Sequence, residues 1–306
     1  MKKILVLMGG MSSEREISLM SGNQVSEALT KSGYDVVKYD LSYDVSDFIR
    51  VLNTEKPDVV FNALHGKYGE DGCVQGLLNL MKIPYTHSGV LASSIGMNKD
   101  LTRQIAKQSG LCVAEGCLMS KKEFLENEPQ KPYVVKPNDD GSSVGVYIVH
   151  NEADRDKVLH EWNDGLCRLV EQYIYGRELS VTVFNDEAMG IVEIIPHVGY
   201  YDFKNKYTKG ASNHVIPAEI SDHIYQMALK QAEMIHKKIG CREVSRSDFR
   251  LDDVTCPDKP KLVFLEINTN PGMTEFSLVP EIMRMCQNVS YEELVSRLVE
   301  GAKCDG

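Results

Sequence analysis

The chain has 306 residues, 42% hydrophobic and 25% charged, with a formal net charge of −10. This is ordinary globular composition, long enough for two domains or three small ones packed together. The negative balance, with no Lys/Arg block longer than two residues, argues against nucleic acid or an anionic membrane surface as partner, and no apolar run approaches the ~18 residues of a membrane span.

Met1-Lys2-Lys3 and the apolar run 4–8 imitate the start of a secretion signal. The run stops at Gly9-Gly10 with no small-residue cleavage site behind it, so a buried first strand is expected instead. Helical spacing of Ile17, Met20, Val25, Ala28 and Leu29 predicts a helix over 14–31. A strand over 35–39, a helix over 45–53, a strand over 58–64, a helix over 71–81 and a short closing strand over 83–86 follow. Such alternation predicts a parallel sheet covered by helices, with ligands beyond the carboxyl ends of its strands. Residues 9–14 and 65–71 then share one rim.

After about residue 98 the pattern changes. A helix is predicted over 100–109 and strands over 132–136 and 144–149, with a turn-rich polar loop over 138–143 between them. Next come a helix over 151–162 and strands over 168–174, 178–184 and 189–196. A polar loop over 197–216, a long helix over 219–239, strands over 243–251 and 261–268 and one terminal helix complete the chain. Hairpin-length links between these strands imply antiparallel pairing. The eight cysteines contain no CxxC pair and read as free thiols of a reducing cytoplasm.

Three groups of residues carry chemistry. Lys136 ends a strand and is held extended by Pro137, and the loop over 140–145 offers two glycines, two hydroxyls and backbone N–H groups to phosphate oxygens. The lysine precedes the glycines, so this is not a Walker A loop, and a plain polar hairpin explains the segment equally well. In the strand over 261–268, alternation puts Leu262, Phe264, Glu266 and Asn268 on one face, and Arg246 and Asp248 share a face of the preceding strand. If the two strands pair, Asp248, Glu266 and Asn268 converge as hard oxygen ligands suited to Mg²⁺, with Arg246 beside them; the bland reading is a buried salt bridge. Glycine-rich turns at Gly9-Gly10 and at 69–72 bring Glu14 and His65 to the rim. Glu14 would serve a helix dipole as readily as a ligand, and the third glycine of a dinucleotide fingerprint is missing.

In order and spacing these segments resemble the D-alanine–D-alanine ligases of the ATP-grasp superfamily over nearly the whole chain. The carrying residues are 9–18, Ala63-Leu64-His65-Gly66 with Gly69-Glu70-Asp71-Gly72, Val135-Lys136-Pro137 and Gly141-Ser142-Ser143-Val144-Gly145. Tyr201-Asp202-Phe203 with Lys206-Tyr207, Arg246-Ser247-Asp248, Glu266-Ile267-Asn268, and Pro271-Gly272-Met273-Thr274 with Ser277-Leu278 complete them. The resemblance implies an α/β and α+β protein, an ATP-grasp fold preceded by a small Rossmann-like parallel domain. Its parts would be a substrate-side domain over 1–97, a central ATP-grasp subdomain over 98–178, and a C-terminal one over 179–306 bearing the metal and substrate site.

By the same resemblance, Lys99, Lys136 and Lys206 would hold ATP phosphates with Ser142 and Ser143. Glu171, Gln172, Tyr173 and Ile174 would meet adenine, and Glu178 the ribose. Asp248, Glu266 and Asn268 would hold two Mg²⁺ ions, with Mn²⁺ as a substitute. Glu14 and His65 would bind the first D-alanine, Ser277 and Leu278 the carboxylate of the second, and Arg246 with Gly272 a tetrahedral oxyanion. Ser142, Tyr207 and Glu14 would tie a loop over the site. Tyr207 favours an amine acceptor, whereas D-lactate or D-serine ligation and a non-catalytic ATP-binding relative are the alternatives. Gln172 stands where many relatives carry Lys, and Phe203 where many carry Tyr. A homodimer in a bacterial cytoplasm, making the peptidoglycan precursor dipeptide, is also implied.

Overall fold

The computed structural model describes residues 1–141, 145–196 and 212–305. The first layer is a three-stranded parallel sheet of β1 (Lys3–Gly9), β2 (Asp35–Leu41) and β3 (Val59–Asn62), ordered β2-β1-β3. Because β1 is covered on both sides, its apolar run splits by parity. Ile4 and Val6 pack with Val25 and Leu29 of α1 (Arg15–Lys31). Leu5 and Leu7 meet Phe48 and Leu52 of α2 (Val45–Glu55) and Leu78 of α3 (Cys73–Met81). The expected strand over 83–86 is reduced to a bridge between Val60 and Tyr85. A helix that the sequence did not announce, α4 (Val90–Met97), follows.

The next layer is the antiparallel sheet β5-β8-β6-β7, made of β5 (Gly116–Ser120), β6 (Tyr133–Pro137), β7 (Tyr147–Val149) and β8 (Cys167–Gln172). Phe124, Tyr133, Val135, Trp162 and Val170 form its core, with α6 (Lys121–Glu126) and α7 (Glu152–Glu161) contributing cover. Ahead of it, α5 (Lys99–Gln108) leads into the short β4 (Cys112–Val113).

Six strands make the third sheet, ordered β11-β10-β9-β12-β13-β4. They are β9 (Arg177–Phe184), β10 (Glu187–Pro196), β11 (Ser212–Val215), β12 (Val244–Asp252), β13 (Lys261–Asn268) and β4. One face of β9, β12 and β13 is apolar: Leu179, Val181, Phe249, Leu251 and Phe264 pack on Ala228, Ala232 and Ile235 of α8 (Asp222–Ile239). Two corrections arise here. Ser212–Val215, expected inside a polar loop, is an edge strand paired with β10. The expected single terminal helix is two, α9 (Leu278–Gln287) and α10 (Tyr291–Gly301).

Leu298 and Val299 of α10 share a core with Ile4 and Val6, which fastens the end of the chain to the first sheet. Truncating such a fully buried leucine typically costs about 2–5 kcal/mol. At the same junction the Glu243 carboxylate accepts the His87 backbone N–H at 2.7 Å. Burial pushes Glu243 up to about 8, against which that hydrogen bond acts. Burial, with His65 nearby, pushes His87 down to about 3. No helix among the described residues is long and apolar enough to cross a membrane.

Candidate functional site

The polar face of the third sheet comes from alternation on one strand and an interruption on its neighbour. Along β12, Arg246, Asp248 and Arg250 point away from the α8 side on which Phe249 and Leu251 are packed. On β13 the pairing register shifts between Asp248 and Phe249, so that Asp248 opposes Glu266 while Phe249 opposes Phe264. Leu265 is the extra residue of this bulge. Strict alternation therefore fails: Leu262, Phe264 and Ile267 share the core. Glu266 and Asn268 turn to the polar face, not to the side of Leu262 and Phe264 that the sequence suggested. Across the ladder, Asp248 lies opposite Glu266 and Arg246 opposite Asn268.

Between this face and the β5-β8-β6-β7 sheet lies a chamber of about 140 Å³. Its walls include Lys99, Lys136, Glu171, Gln172, Tyr173, Ile174 and Glu178, all of which the family resemblance assigns to one ligand. The Glu171 carboxylate is buried, 2.5 Å from Lys136 Nζ and 3.3 Å from Arg103 Nε. Arg103, on α5, was missed by sequence reasoning because nothing local to it points to Glu171. Arg250 was missed too; it lies 3.3 Å from Glu178, donates to the Ile174 carbonyl and stands over the Tyr173 ring. The N–H groups of Gln172 and Tyr173 already donate to the carbonyls of Glu115 and Pro132, so they are committed within the protein.

A second, larger cleft of about 420 Å³ adjoins the first and is walled by Glu14, His65, Arg246, Gly272, Ser277 and Leu278. Lys99, Asp140, Gly141 and Glu266 border both spaces. Lys99 Nζ donates to the Asp140 carbonyl and lies 3.7 Å from Glu266. Glu14 sits at the start of α1 but makes no side-chain cap there, and its carboxylate is buried. A Cβ placed on Gly66 or Gly141 would come within 2.8 Å of Glu14 Oε2, so both glycines leave room for that carboxylate. His65 is held between Ser21 at 3.1 Å and Glu70 at 3.3 Å, and its carbonyl accepts the Ser12 hydroxyl. Asn270 donates to the Leu64 carbonyl at 2.9 Å, tying the turn after β13 to the rim of the first sheet.

The Asp248 carboxylate accepts the Ser180 hydroxyl at 2.6 Å and is gripped by Arg246 at 3.0 and 2.8 Å. Asn268 Oδ1 accepts the Asn270 N–H at 2.9 Å. Among the described residues no group of three His, Cys, Asp or Glu gathers as a metal site. Two carboxylates and an amide are nevertheless a fitting donor set for Mg²⁺, which takes few protein oxygens and fills its shell with phosphate oxygens and water. Ser142, Ser143, Lys206 and Tyr207, with Phe203, lie outside the described residues.

Two sequence families match the chain: D-ala D-ala ligase N-terminus over residues 44–88 and D-ala D-ala ligase C-terminus over 105–300. A D-alanine–D-alanine ligase of Parvibaculum lavamentivorans is 48% identical over 99% of this chain and 98% of its own length. One from Chelativorans is 50% identical with the same coverage. Among solved structures, the D-alanine–D-alanine ligase of Bacillus anthracis complexed with ATP is 30% identical, with a TM-score of 0.81 over 98% of this chain and 96% of that one. The VanG D-Ala:D-Ser ligase of Enterococcus faecalis is 26% identical, with a TM-score of 0.78 over 98% of each chain. With its parallel first sheet, an antiparallel sheet facing a mixed, mainly antiparallel one, and full-length identity near one half, the chain belongs to the D-alanine–D-alanine ligase family and has its ATP-grasp fold.

Proposed function

We propose that this protein joins two D-alanine molecules into D-alanyl-D-alanine with ATP as the energy source, for peptidoglycan precursor synthesis. The observation that carries the reading is the shared wall: the chamber lined by Lys136, Glu171 and Glu178 and the cleft lined by Glu14, Arg246 and Ser277 meet at Lys99, Asp140, Gly141 and Glu266. Phosphoryl transfer from one space to the other needs that adjacency.

A carboxylate is a poor acyl donor because its leaving oxygen is bad. In the first step the first D-alanine's carboxylate oxygen bonds to the γ-phosphorus, the bond to the β-bridging oxygen breaks, and ADP leaves. Lys99 and Lys136 hold the phosphates, with Ser142, Ser143 and Lys206 as further contacts. Glu171, braced by Arg103, keeps Lys136 in place. Asp248, Glu266 and Asn268 would hold two Mg²⁺ ions, which neutralise charge crowded onto the phosphates. In the second step the second D-alanine's amine attacks the acyl carbon of the acyl phosphate. Arg246 and the Gly272 N–H stabilise the oxyanion, and phosphate leaves as the peptide bond forms. Glu14 and His65 hold the first substrate, and Ser277 and Leu278 the second carboxylate. Tyr207, with Ser142 and Glu14, would close a loop that keeps water from the acyl phosphate. The homodimer belongs to the same proposal.

The test is ADP release that requires both D-alanine and Mg²⁺, with the dipeptide identified chromatographically. ATP binding without ADP release would favour a regulatory role. Preferential incorporation of D-serine or D-lactate from a mixture with D-alanine would move the assignment to that acceptor.

A further inference from the structure

His214 and Glu281 form a hydrogen-bonded pair that no part of the mechanism above uses. His214 Nδ1 lies 2.6 Å from Glu281 Oε2, with both side chains about four-fifths buried. His214 is on β11, which resumes the chain immediately after residues 197–211, and Glu281 is in the first turn of α9. Both line the larger cleft together with Ser277 and Leu278. Their placement is dictated by packing. His214 pairs in register with Ile194 of β10. Ile194 in turn joins Val192, Leu278 and Ile282 in an apolar floor beneath α9.

A helix N-terminus favours a bound carboxylate, since its first N–H groups are unsatisfied and the dipole is positive there. Ser277, at the N-cap of α9, makes no side-chain cap within the helix. Glu281 lies one turn further on, its N–H donating to the Ser277 carbonyl at 3.1 Å. Its negative charge opposes any anion arriving at that end of the helix. We propose that His214, through this hydrogen bond, holds the Glu281 carboxylate in one position, so that the carboxylate of the acceptor amino acid can dock at Ser277 and Leu278. This rests on the ligase reading and deepens it, making His214 and Glu281 positioning residues for the acceptor alone. The pair also joins the strand behind the 197–211 segment to the helix that receives the acceptor.

The test uses the whole enzyme and measures separate KM values for ATP, donor D-alanine and acceptor D-alanine. His214→Asn is too short to keep this hydrogen bond and frees the Glu281 carboxylate; it is expected to raise the acceptor KM about tenfold, the order of one partly exposed charge, with the other two constants unmoved. Glu281→Gln removes the opposing charge and is expected to stay within about twofold of the parent, well inside that same Coulombic effect. The double variant His214→Asn with Glu281→Gln is expected to recover the Glu281→Gln value. His214→Leu keeps much of the side chain's bulk and loses the donor, so it carries the test if His214→Asn does not fold. A double variant as impaired as His214→Asn, or a rise in all three constants, overturns the proposal. If the parent enzyme releases no ADP with D-alanine, the ligase reading fails; if the parent is active and His214→Leu and His214→Asn behave like it, only this inference fails.

Discussion

Asp248 and Glu266 face one another directly across the antiparallel ladder of β12 and β13, at the residue pair where the register shifts. The bulge turns Glu266 out of the core and onto the side where Asp248 already points. Asp248→Ala and Glu266→Ala are each expected to lower kcat by at least about a hundredfold, as loss of a charge-stabilising group typically does. Excess Mg²⁺ should partly restore Glu266→Asn but not the alanine variants, because an amide oxygen still ligates a hard cation. Near-normal turnover of either alanine variant in a coupled ADP assay would remove that residue from the metal set.

Glu171 answers two buried cations at once, Lys136 and Arg103. Removing it takes the carboxylate from Lys136 in a low-dielectric site, while Arg103 keeps Asp100 and the Ala114 carbonyl, so Glu171→Ala should cost about 3–5 kcal/mol of stability. Urea denaturation reads this as a drop in the midpoint at constant slope. Glu171→Gln should lose less, and its deficit should appear chiefly as a raised ATP KM. An unchanged midpoint for the alanine variant would mean that the cations find other partners.

Gly66 has φ +67°, and a Cβ there would meet Glu14 Oε2 at 2.8 Å and Ser12 Cβ at 3.1 Å. Gly66→Ala is therefore expected to displace the Glu14 carboxylate and raise the donor D-alanine KM about tenfold, equivalent to about 1.4 kcal/mol. ATP affinity should hold, since Glu14, the group that would be displaced, lines the amino-acid cleft and not the other chamber. A parallel rise in ATP KM would instead indicate general collapse of the rim.

The junction between the first sheet and the rest should give stability a defined pH profile. Glu243 has an ordinary value of 4.5 and is held at about 8 in the folded protein. The native state thus keeps a proton that the unfolded chain has lost. Stability from this group is full below about 4.5 and declines as pH rises to about 8. His87 acts oppositely: ordinary at 6.5 and held at about 3, it withholds a proton that the unfolded chain binds, so stability declines as pH falls from 6.5 to about 3. His236, buried and pushed down to about 4, adds to the acid limb. The two slopes oppose one another between about 4.5 and 6.5. The urea midpoint should therefore peak at mildly acid pH and fall by the equivalent of a few kcal/mol by pH 8. Glu243→Gln, still able to accept the His87 N–H, should flatten the alkaline limb. An undiminished fall between pH 6.5 and 8 in that variant would assign the slope to other groups.

Much of this was legible because function here sits at the ends of strands. Turn residues and single polar positions against an apolar run mark Gly9-Gly10, Lys136 and Asp248 in the sequence itself. Alternation also gave the correct side for Arg246 and Asp248, since β12 runs without interruption. It gave the wrong side for Glu266, because a bulge of one residue at Leu265 depends on the partner strand and leaves no mark in local composition. α4, with its Ser-Ser-Ile-Gly stretch, lacks helical amphipathicity, and β4 has only two residues paired with β13. Arg103 and Arg250 stayed hidden for the same reason: each acts on a residue about seventy positions away.

The wall common to the two chambers has a pharmacological meaning. Lys99, Asp140, Gly141 and Glu266 are accessible from either side. A ligand in one chamber therefore ends within reach of a ligand in the other. Joining weak occupants of the two spaces by a short tether would turn the second binding event into an intramolecular one. Avidity gains of about 10²–10⁴ arise in that way without any new contact. The same thin partition that lets a phosphoryl group pass makes the site vulnerable to a molecule that straddles it.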